Sequence, residues 1–170
     1  GNSPKGTSYN DEGEGWPLLN GPTEFGKNNP VPRQWTTEPT RFCKEGDILI
    51  CVRGNTTGRM NWADQIYCIG RGLSAVTPKN ETVRREYLYW VINIKIRDLL
   101  QRISEGSVFP NLSKKDLMEF KIPVPSIESQ KRFEFTVDKI KRMISYKESS
   151  HANLVELSSS LTHDAFKGQL

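Results

Sequence analysis

The stretch VRGNTTGRMNW, residues 52–62, gathers side chains whose chemistry suits contact with nucleic acid. Arginine presents a rigid fork of donors that matches a phosphate or the edge of guanine, and asparagine and threonine hydrogen-bond polar edges. The two glycines let the backbone approach a ligand closely. The first candidates for DNA contact are therefore Arg53, Asn55, Thr57 and Arg59. Trp62 could stack or wedge beside them, although a tryptophan this close to a strand more often belongs to the core.

A second glycine-flanked arginine, Arg71, lies between Gly70 and Gly72 and joins the candidates. An arginine in such a turn can also hydrogen-bond loop carbonyls and hold strand ends together, so a purely structural role stays open for it and for Arg53. Weaker candidates for DNA contact are Arg33, Lys79 and Ser107.

The charge of the chain is mildly basic, with 24 Lys and Arg against 20 Asp and Glu, and residues 41–80 hold 6 basic and 3 acidic side chains. A locally positive surface is what phosphate binding needs, because released counterions drive the association, yet such surfaces also occur on proteins that bind no polyanion. No apolar run approaches the roughly 18 residues that a membrane span requires, so membrane association is not predicted.

The three cysteines, Cys43, Cys51 and Cys68, form no C-x-x-C pair, and the chain contains only two histidines, His151 and His163. A zinc site is therefore not expected. Because Cys51 and Cys68 lie within apolar runs, we interpret the cysteines as small buried hydrophobic residues and predict no disulfide framework.

Motifs for catalysis or cofactor binding are not evident in the sequence. GNTTGR at residues 54–59 lacks the Lys-Ser/Thr ending of a phosphate-binding loop, and GEGWPL lacks the third glycine of a dinucleotide fingerprint. NNPVP at residues 28–32 lacks the adjacent prolines and the following aromatic residue with which amino-methyltransferases hold a flipped base. Catalysis by this chain alone is not expected.

Two strands are predicted around the candidate arginines. GDILICVRG, residues 46–54, has apolar side chains on both faces. QIYCIGRGLSAVTP, residues 65–78, is predicted to form a second strand, interrupted at Gly70 and Gly72 by a bulge that would re-aim Arg71. Residues 1–40 are rich in Gly, Pro, Asn and Thr, which indicates long loops with short strands. We expect Trp16 and Trp35 to hold these loops in place by burial.

Helical spacing begins at Glu86 and continues through Leu99 to Ile103, which predicts an amphipathic helix against the sheet. Ser113 with Asp116 three residues later predicts a capping box that opens a short helix. The run from Phe120 to Val124 is interpreted as a further strand, and Pro125 as the end of the globular part.

One long helix is predicted from Ser126 onward, because proline is absent up to Gly168 and helix-forming residues dominate. About 40 residues at ~1.5 Å each give ~60 Å, more than a domain of this size can cover, so a second copy or a partner subunit is expected to cover the far half. The alternative is a helix that folds back on its own domain. Apolar residues at the alternating spacing of a coiled-coil seam, predicted to form the interface, are Phe133, Val137, Ile140, Ile144, Leu154 and Leu161.

Several segments together resemble the DNA specificity subunit of type I restriction-modification systems. They are GNSPKG, GDILICVRGNTTG, IGRGLSAVTPK, GSVFPNLSKKDLMEFKIPVPSIESQ and LTHDAFKGQL, and they keep the family's order over nearly the whole chain. IPVPSIESQ and the terminal AFKG are the most specific pair.

The resemblance implies an α+β (mixed α/β) target recognition domain with a mostly β core and long loops over residues 1–125. Residues 126–170 would form the conserved spacer helix, of coiled-coil type. The implied partners are double-stranded DNA, methyltransferase subunits docked on the helix, and restriction/translocase subunits. S-adenosylmethionine, ATP and Mg would belong to those subunits and not to this chain. The expected location is the cytoplasm of a prokaryote.

A usual family member carries two such domain-plus-helix units, whereas this chain holds one. Either it is a half subunit that dimerises through the helix, or it is an excised half of a longer subunit. Two further alternatives remain: the recognition domain of a fused restriction-methylation polypeptide, and a coiled-coil scaffold whose globular head binds protein.

Overall fold

The structure, a computed structural model, describes residues 1–103 and 111–167 and divides into two compact units, Gly1–Pro125 and Ser126–Leu170. Within the described ranges, the first unit contains short strands and two α-helices, and the second contains a single long helix. The predicted α+β class with a long C-terminal helix is confirmed. The elements, in chain order, are β1 Tyr9–Asn10, β2 Trp16–Leu19, β3 Gln34–Thr36, β4 Ile48–Cys51, β5 Met60–Trp62, β6 Cys68–Ile69, β7 Leu73–Val76, α1 Arg85–Ile103, α2 Lys114–Glu119 and α3 Ile127–Phe166.

Four of the strands form one sheet in the order β1-β3-β2-β6. β3 is antiparallel to both of its neighbours, whereas β2 and β6 run parallel, with Leu18 beside Cys68. Residues 1–40 therefore contain short strands, as predicted. The expectation that tryptophan burial holds them is wrong for Trp16, whose side chain is 43% exposed. Buried Leu18, Leu19 and Phe25 anchor this segment instead.

The other three strands form a second sheet in the order β5-β4-β7, with antiparallel pairs on both sides of β4. All four residues of β4 are buried, so the prediction that both faces of this strand are covered is confirmed. A row of β-branched and aliphatic residues with a partner on each edge is what a central strand requires.

The predicted strand over residues 65–78 is in fact two strands that belong to different sheets. β6 ends at Ile69, where the N–H of Gly70 donates to the carbonyl of Leu19, and β7 begins at Leu73 after a turn in which the Leu73 N–H donates to the Gly70 carbonyl. A Cβ on Gly72 would come within 2.4 Å of the Asn20 carbonyl oxygen, so this close passage excludes a side chain. The glycines therefore end one strand and start another and do not form a bulge.

The core of the first unit joins both sheets. Its buried members are Leu19, Phe25, Cys43, Leu49, Cys51, Ala63, Tyr67, Ile69 and Leu73. Because strands of both sheets contribute to one apolar cluster, the loops that connect these strands are fixed at both ends.

Helix α1 follows the predicted spacing, with Leu88, Val91 and Leu99 buried. The capping box of α2 is also confirmed, since the N–H of Asp116 donates to the Ser113 hydroxyl and the N–H of Ser113 donates to the Asp116 carboxylate. The predicted strand over residues 120–124 is wrong, because this segment has no ladder partner among the described residues.

Helix α3 begins at the predicted N-cap, where the Ser129 N–H donates to the Ser126 hydroxyl at 3.3 Å. It runs for 40 residues, or about 60 Å at 1.5 Å per residue. From Lys141 onward its described side chains are exposed, apart from the half-buried Ser150. Among the residues that the structure describes, no helix combines the length and the apolar character needed to cross a membrane.

Candidate nucleic-acid interface

The β4–β5 hairpin carries four of the predicted DNA contacts on its turn. The ladder closes where the Cys51 N–H donates to the Arg59 carbonyl and the Gly58 N–H donates to the Cys51 carbonyl, each at 2.8 Å. Gly54 and Gly58 have φ of +81° and +90°, a left-handed backbone that favours glycine at both positions. Arg53, Asn55 and Arg59 are exposed and Thr57 is half-buried, so the hairpin presents the predicted polar side chains at its tip.

Arg71 lies directly beside this hairpin. The Val52 N–H donates to the Gly72 carbonyl at 2.9 Å, and this bond joins the start of one turn to the end of the other. The Arg71 N–H donates to the Ser3 hydroxyl at 3.1 Å, which fixes the backbone while the side chain stays exposed. Arg53 and Arg71 therefore flank the same end of the β4–β7 pair.

Arg33 comes to the same end of the fold through the four-stranded sheet. It precedes Gln34, which pairs with Leu18, and Leu18 pairs with Cys68 on its other side. Because β3 runs against β2 and β6, the residue before β3 and the residues after β6 lie at one edge. The exposed side chain of Arg33 is therefore on the edge to which Arg71 belongs.

Arg41 is a further exposed arginine at this edge, and sequence reasoning missed it. Its carbonyl accepts a hydrogen bond from the Ile69 N–H at 2.8 Å, so it borders the end of β6 opposite β2. No motif surrounds it in the sequence. Only the isolated bridge between Phe42 and Cys68, which joins residues far apart in the chain, brings it to the site.

Two predicted residues are placed elsewhere. Lys79 follows β7 at the end where Val76 pairs with Ile48, away from the turn of Arg53. Trp62 pairs with Ile48 at that same far end and stacks on Tyr89 of α1, with ring centroids 4.9 Å apart. It is therefore a strand residue packed on a helix, and it lies apart from Arg33, Arg41, Arg53 and Arg71. Ser107 lies outside the described residues.

A polar cleft of about 350 Å³ separates the hairpin from α1. Its walls consist of Thr57, Gly58, Arg59 and Met60 from the hairpin and Tyr89, Asn93, Ile96, Arg97 and Leu100 from the helix. Asn93 and Arg97 were not predicted from the sequence, because a polar position on an amphipathic helix normally belongs to its solvent-exposed face.

Cys51 lies below the hairpin turn, where burial raises the pKa of its thiol to about 12 even though the nearby Arg59 guanidinium acts in the opposite direction. Burial likewise raises the pKa of Cys43 to about 11. Both thiols are protonated at neutral pH, and all three cysteines are free and buried, so their interpretation as core residues is confirmed. Within residues 1–103 and 111–167, no cluster of His, Cys, Asp and Glu could hold a metal ion.

Thiol modification should report this burial. A rise from 9.0 to about 12 lowers the thiolate fraction of Cys51 roughly a thousandfold near neutral pH, and only the thiolate reacts. We expect an aromatic disulfide reagent to leave the three cysteines of the native chain unmodified on the timescale in which it titrates all three in denaturant. Rapid labelling of Cys51 in the native chain would contradict this placement.

The second candidate surface is the seam of α3. Phe133 and Val137 are half-buried, whereas Ile140, Ile144, Leu154 and Leu161 are all about half exposed or more, at 50%, 53%, 65% and 49%. A regularly spaced apolar stripe of this length on a charged helix is typical of a helix that packs against another helix.

A mixed α+β domain with an arginine-rich edge, continued by a long helix with an apolar seam, is typical of a DNA-recognition domain that is joined to a helical spacer. The family model described as "Type I restriction modification DNA specificity domain" matches residues 34–154. The chain belongs to this family, which comprises DNA-recognition components and not catalytic subunits. The resemblance inferred from the sequence is thereby confirmed.

Relatives and solved structures agree with this assignment. A Methanocaldococcus jannaschii protein assigned as the specificity subunit of the type I restriction enzyme MjaX is 40% identical over 131 residues, 77% of this chain and 30% of that protein. The HsdS subunit from Thermoanaerobacter tengcongensis matches with a TM-score of 0.76 and 33% identity over 100% of this chain and 42% of its own. A chain from a study of complex assembly and conformational transition of the type I R-M system matches with a TM-score of 0.78 and 33% identity, over 100% of this chain and 43% of its own.

Proposed function

We propose that this chain is a non-catalytic recognition unit that binds one half of a split DNA target for a type I restriction-modification complex. The observation that carries the proposal is the meeting of four exposed arginines, from four separate positions along the chain, at one end of both sheets. These are Arg33, Arg41, Arg53 and Arg71. Such a row can hold the phosphates of a duplex and set its register on the protein.

The exposure of Arg53 and Arg71 supports a DNA contact over a purely structural role. A structural arginine would use its guanidinium to hydrogen-bond loop carbonyls or a carboxylate. In the described part of the chain, neither guanidinium makes such a bond, and both side chains are exposed. Their donors are therefore available to a phosphate.

The tip of the β4–β5 hairpin is the element best suited to read bases. It protrudes beyond the last ladder bonds, and the exposed side chain of Asn55 lies between Arg53 and Arg59. Asparagine pairs with the edge of adenine, and arginine with that of guanine, in the major groove. In this proposal the four exposed arginines position the duplex, and the hairpin tip recognises the base sequence.

The helix α3 would act as the spacer between two recognition units. Its exposed seam supports pairing with a second such helix, either from a second copy of this chain or from the other half of a longer subunit. Two-fold pairing would give a palindromic split target, because a two-fold protein reads a two-fold site. Methyltransferase subunits would dock on the helix and the restriction/translocase subunits would join them. S-adenosylmethionine, ATP and Mg would be bound by those subunits.

Salt-dependent binding of a mixed-sequence duplex tests the proposal. Each arginine that holds a phosphate releases counterions, so changing Arg53 and Arg71 to alanine together should reduce the slope of log affinity against log salt by about 2. Fluorescence anisotropy between about 50 and 200 mM salt measures this slope.

The control is Lys79→Ala, which removes a positive charge at the opposite end of β7. It should leave the slope unchanged. A parent chain without salt-dependent affinity for duplex DNA, or a double variant with the parent's slope, would contradict the proposed function.

A further inference from the structure

We propose that the cleft between the β4–β5 hairpin and α1 seats the sugar-phosphate backbone of one DNA strand, with Arg97 as a phosphate-binding residue. This inference rests on the proposed function and extends it to a helix face with no assigned role. Arg59 enters the cleft from the hairpin and Arg97 from the helix, so two guanidinium groups from different elements border one recess.

The polar residues that α1 contributes to the cleft lie along one face of the helix. Tyr89, Asn93 and Arg97 are successive i, i+4 positions and therefore lie on one side of the helix. Arg97 is exposed and Asn93 is half-buried. An exposed guanidinium and, one turn away, a side-chain amide are both donors that suit phosphate oxygens.

The walls of the cleft are held rigidly. Trp62 and Tyr89 stack at 4.9 Å with an interplanar angle of 17°, which ties β5 to α1. At Gly58, where φ is +90°, an added Cβ would be strained and would lie 2.8 Å from Cδ1 of Leu100, so glycine suits the close approach of the hairpin to the helix. A recess with fixed walls loses little conformational entropy when its ligand binds.

Charge favours an anion in this cleft. None of the described residues that line it carries a carboxylate, whereas two carry a guanidinium. In the described ranges, neither Arg59 nor Arg97 forms an ion pair, so both guanidinium groups are available to an anionic ligand.

Shape favours the backbone over a base edge. Base edges lie at the floor of a groove, and a protein reaches them with a protruding group. The sugar-phosphate backbone is the ridge between grooves and fits a recess. The hairpin tip with Asn55 would then enter the groove next to the strand that the cleft holds.

The test compares arginines on the same helix of the full chain. Arg97→Ala should weaken binding to mixed-sequence duplexes equally for unrelated sequences and reduce the salt slope by about 1. Arg97→Lys keeps the charge and should restore most of the slope. The control Arg102→Ala removes an exposed arginine of α1 that does not line the cleft, and it should match the parent. Circular dichroism verifies that each variant is folded.

The possible failures are distinguishable. If the parent binds with a steep salt slope and the folded Arg97→Ala variant does the same, the cleft does not hold the backbone, while the proposed function stands. If the variant changes the ranking of duplex sequences without changing the slope, Arg97 reads a base and the backbone role is overturned. If the parent itself binds no duplex, both proposals fail.

Discussion

Replacing Ile144 by glutamate should disrupt the proposed pairing of two copies of the chain through α3 and shift the mass seen in sedimentation to that of one chain. Ile144 is 53% exposed in the single chain and occupies a seam position between Ile140 and Lys147 on α3. In a paired helix its side chain would be buried, and a buried carboxylate without a partner costs about 3 to 5 kcal/mol. The dissociation constant should therefore rise by at least about a hundredfold.

Ser149→Glu is the matched control, because it adds the same charge to the same helix on the side opposite the seam. It should leave the mass of the parent unchanged. If Ile144→Glu also sediments like a self-associated parent, the seam is not the dimer contact, and docking of a methyltransferase subunit becomes its remaining proposed use.

Leu49→Ala should lower the free energy of unfolding by about 2 to 5 kcal/mol, the cost of a cavity in a core that cannot collapse around it. Leu49 is fully buried at the middle of β4, and its backbone pairs with Asn61 on one side and Ala75 on the other. Because β5 and β7 both pair with β4, neighbouring residues have little freedom to move into the space that the removed side chain leaves. Urea denaturation followed by circular dichroism measures the change.

Val31→Ala is the comparison for this experiment. Its side chain is 63% exposed, so the substitution should change stability by no more than about 0.5 kcal/mol. A loss at Leu49 as small as that at Val31 would show that β4 is not the centre of the core.

The elements that the sequence predicted well are those whose signals are local. The helical spacing from Glu86 and the N-cap at Ser126 each lie within a few turns of chain, and both helices occur where they were expected. The buried strand β4 was also predicted, because a run of apolar β-formers is a short-range pattern. The three-residue β5 was missed since it is too short to show a period.

The errors in the fold come from interactions that the local pattern cannot show. Pro123 interrupts the run from Phe120 to Val124 and has no N–H for a ladder, and its carbonyl accepts a hydrogen bond from the Tyr87 hydroxyl instead. The split of residues 65–78 between two sheets depends on the bond from Gly70 to Leu19, whose partners lie about fifty residues apart in the chain. Alternating hydrophobicity does not indicate which sheet a strand joins.

The same distinction applies to the candidate interface. Arg53 and Arg71 were predicted as DNA contacts partly because each lies next to glycine in the sequence, and the structure places them side by side. Arg41 and Arg97 have no such context, and only sheet pairing and helix docking bring them to the surface that the hairpin occupies. Lys79 was a candidate for its charge, which says nothing about the end of the strand where it lies.

Because the β4–β5 ladder closes at Cys51 and Arg59, the residues between them can be exchanged without changing how the strands pair. Among these residues, the Thr57 N–H donates to the Gly54 carbonyl, so the turn is held by its own bonds. Lengthening a loop is inexpensive, at about 0.6 kcal/mol for each doubling of its length. If the hairpin tip reads bases as proposed, small insertions or swaps at residues 53–57 would change the target and leave every strand in register.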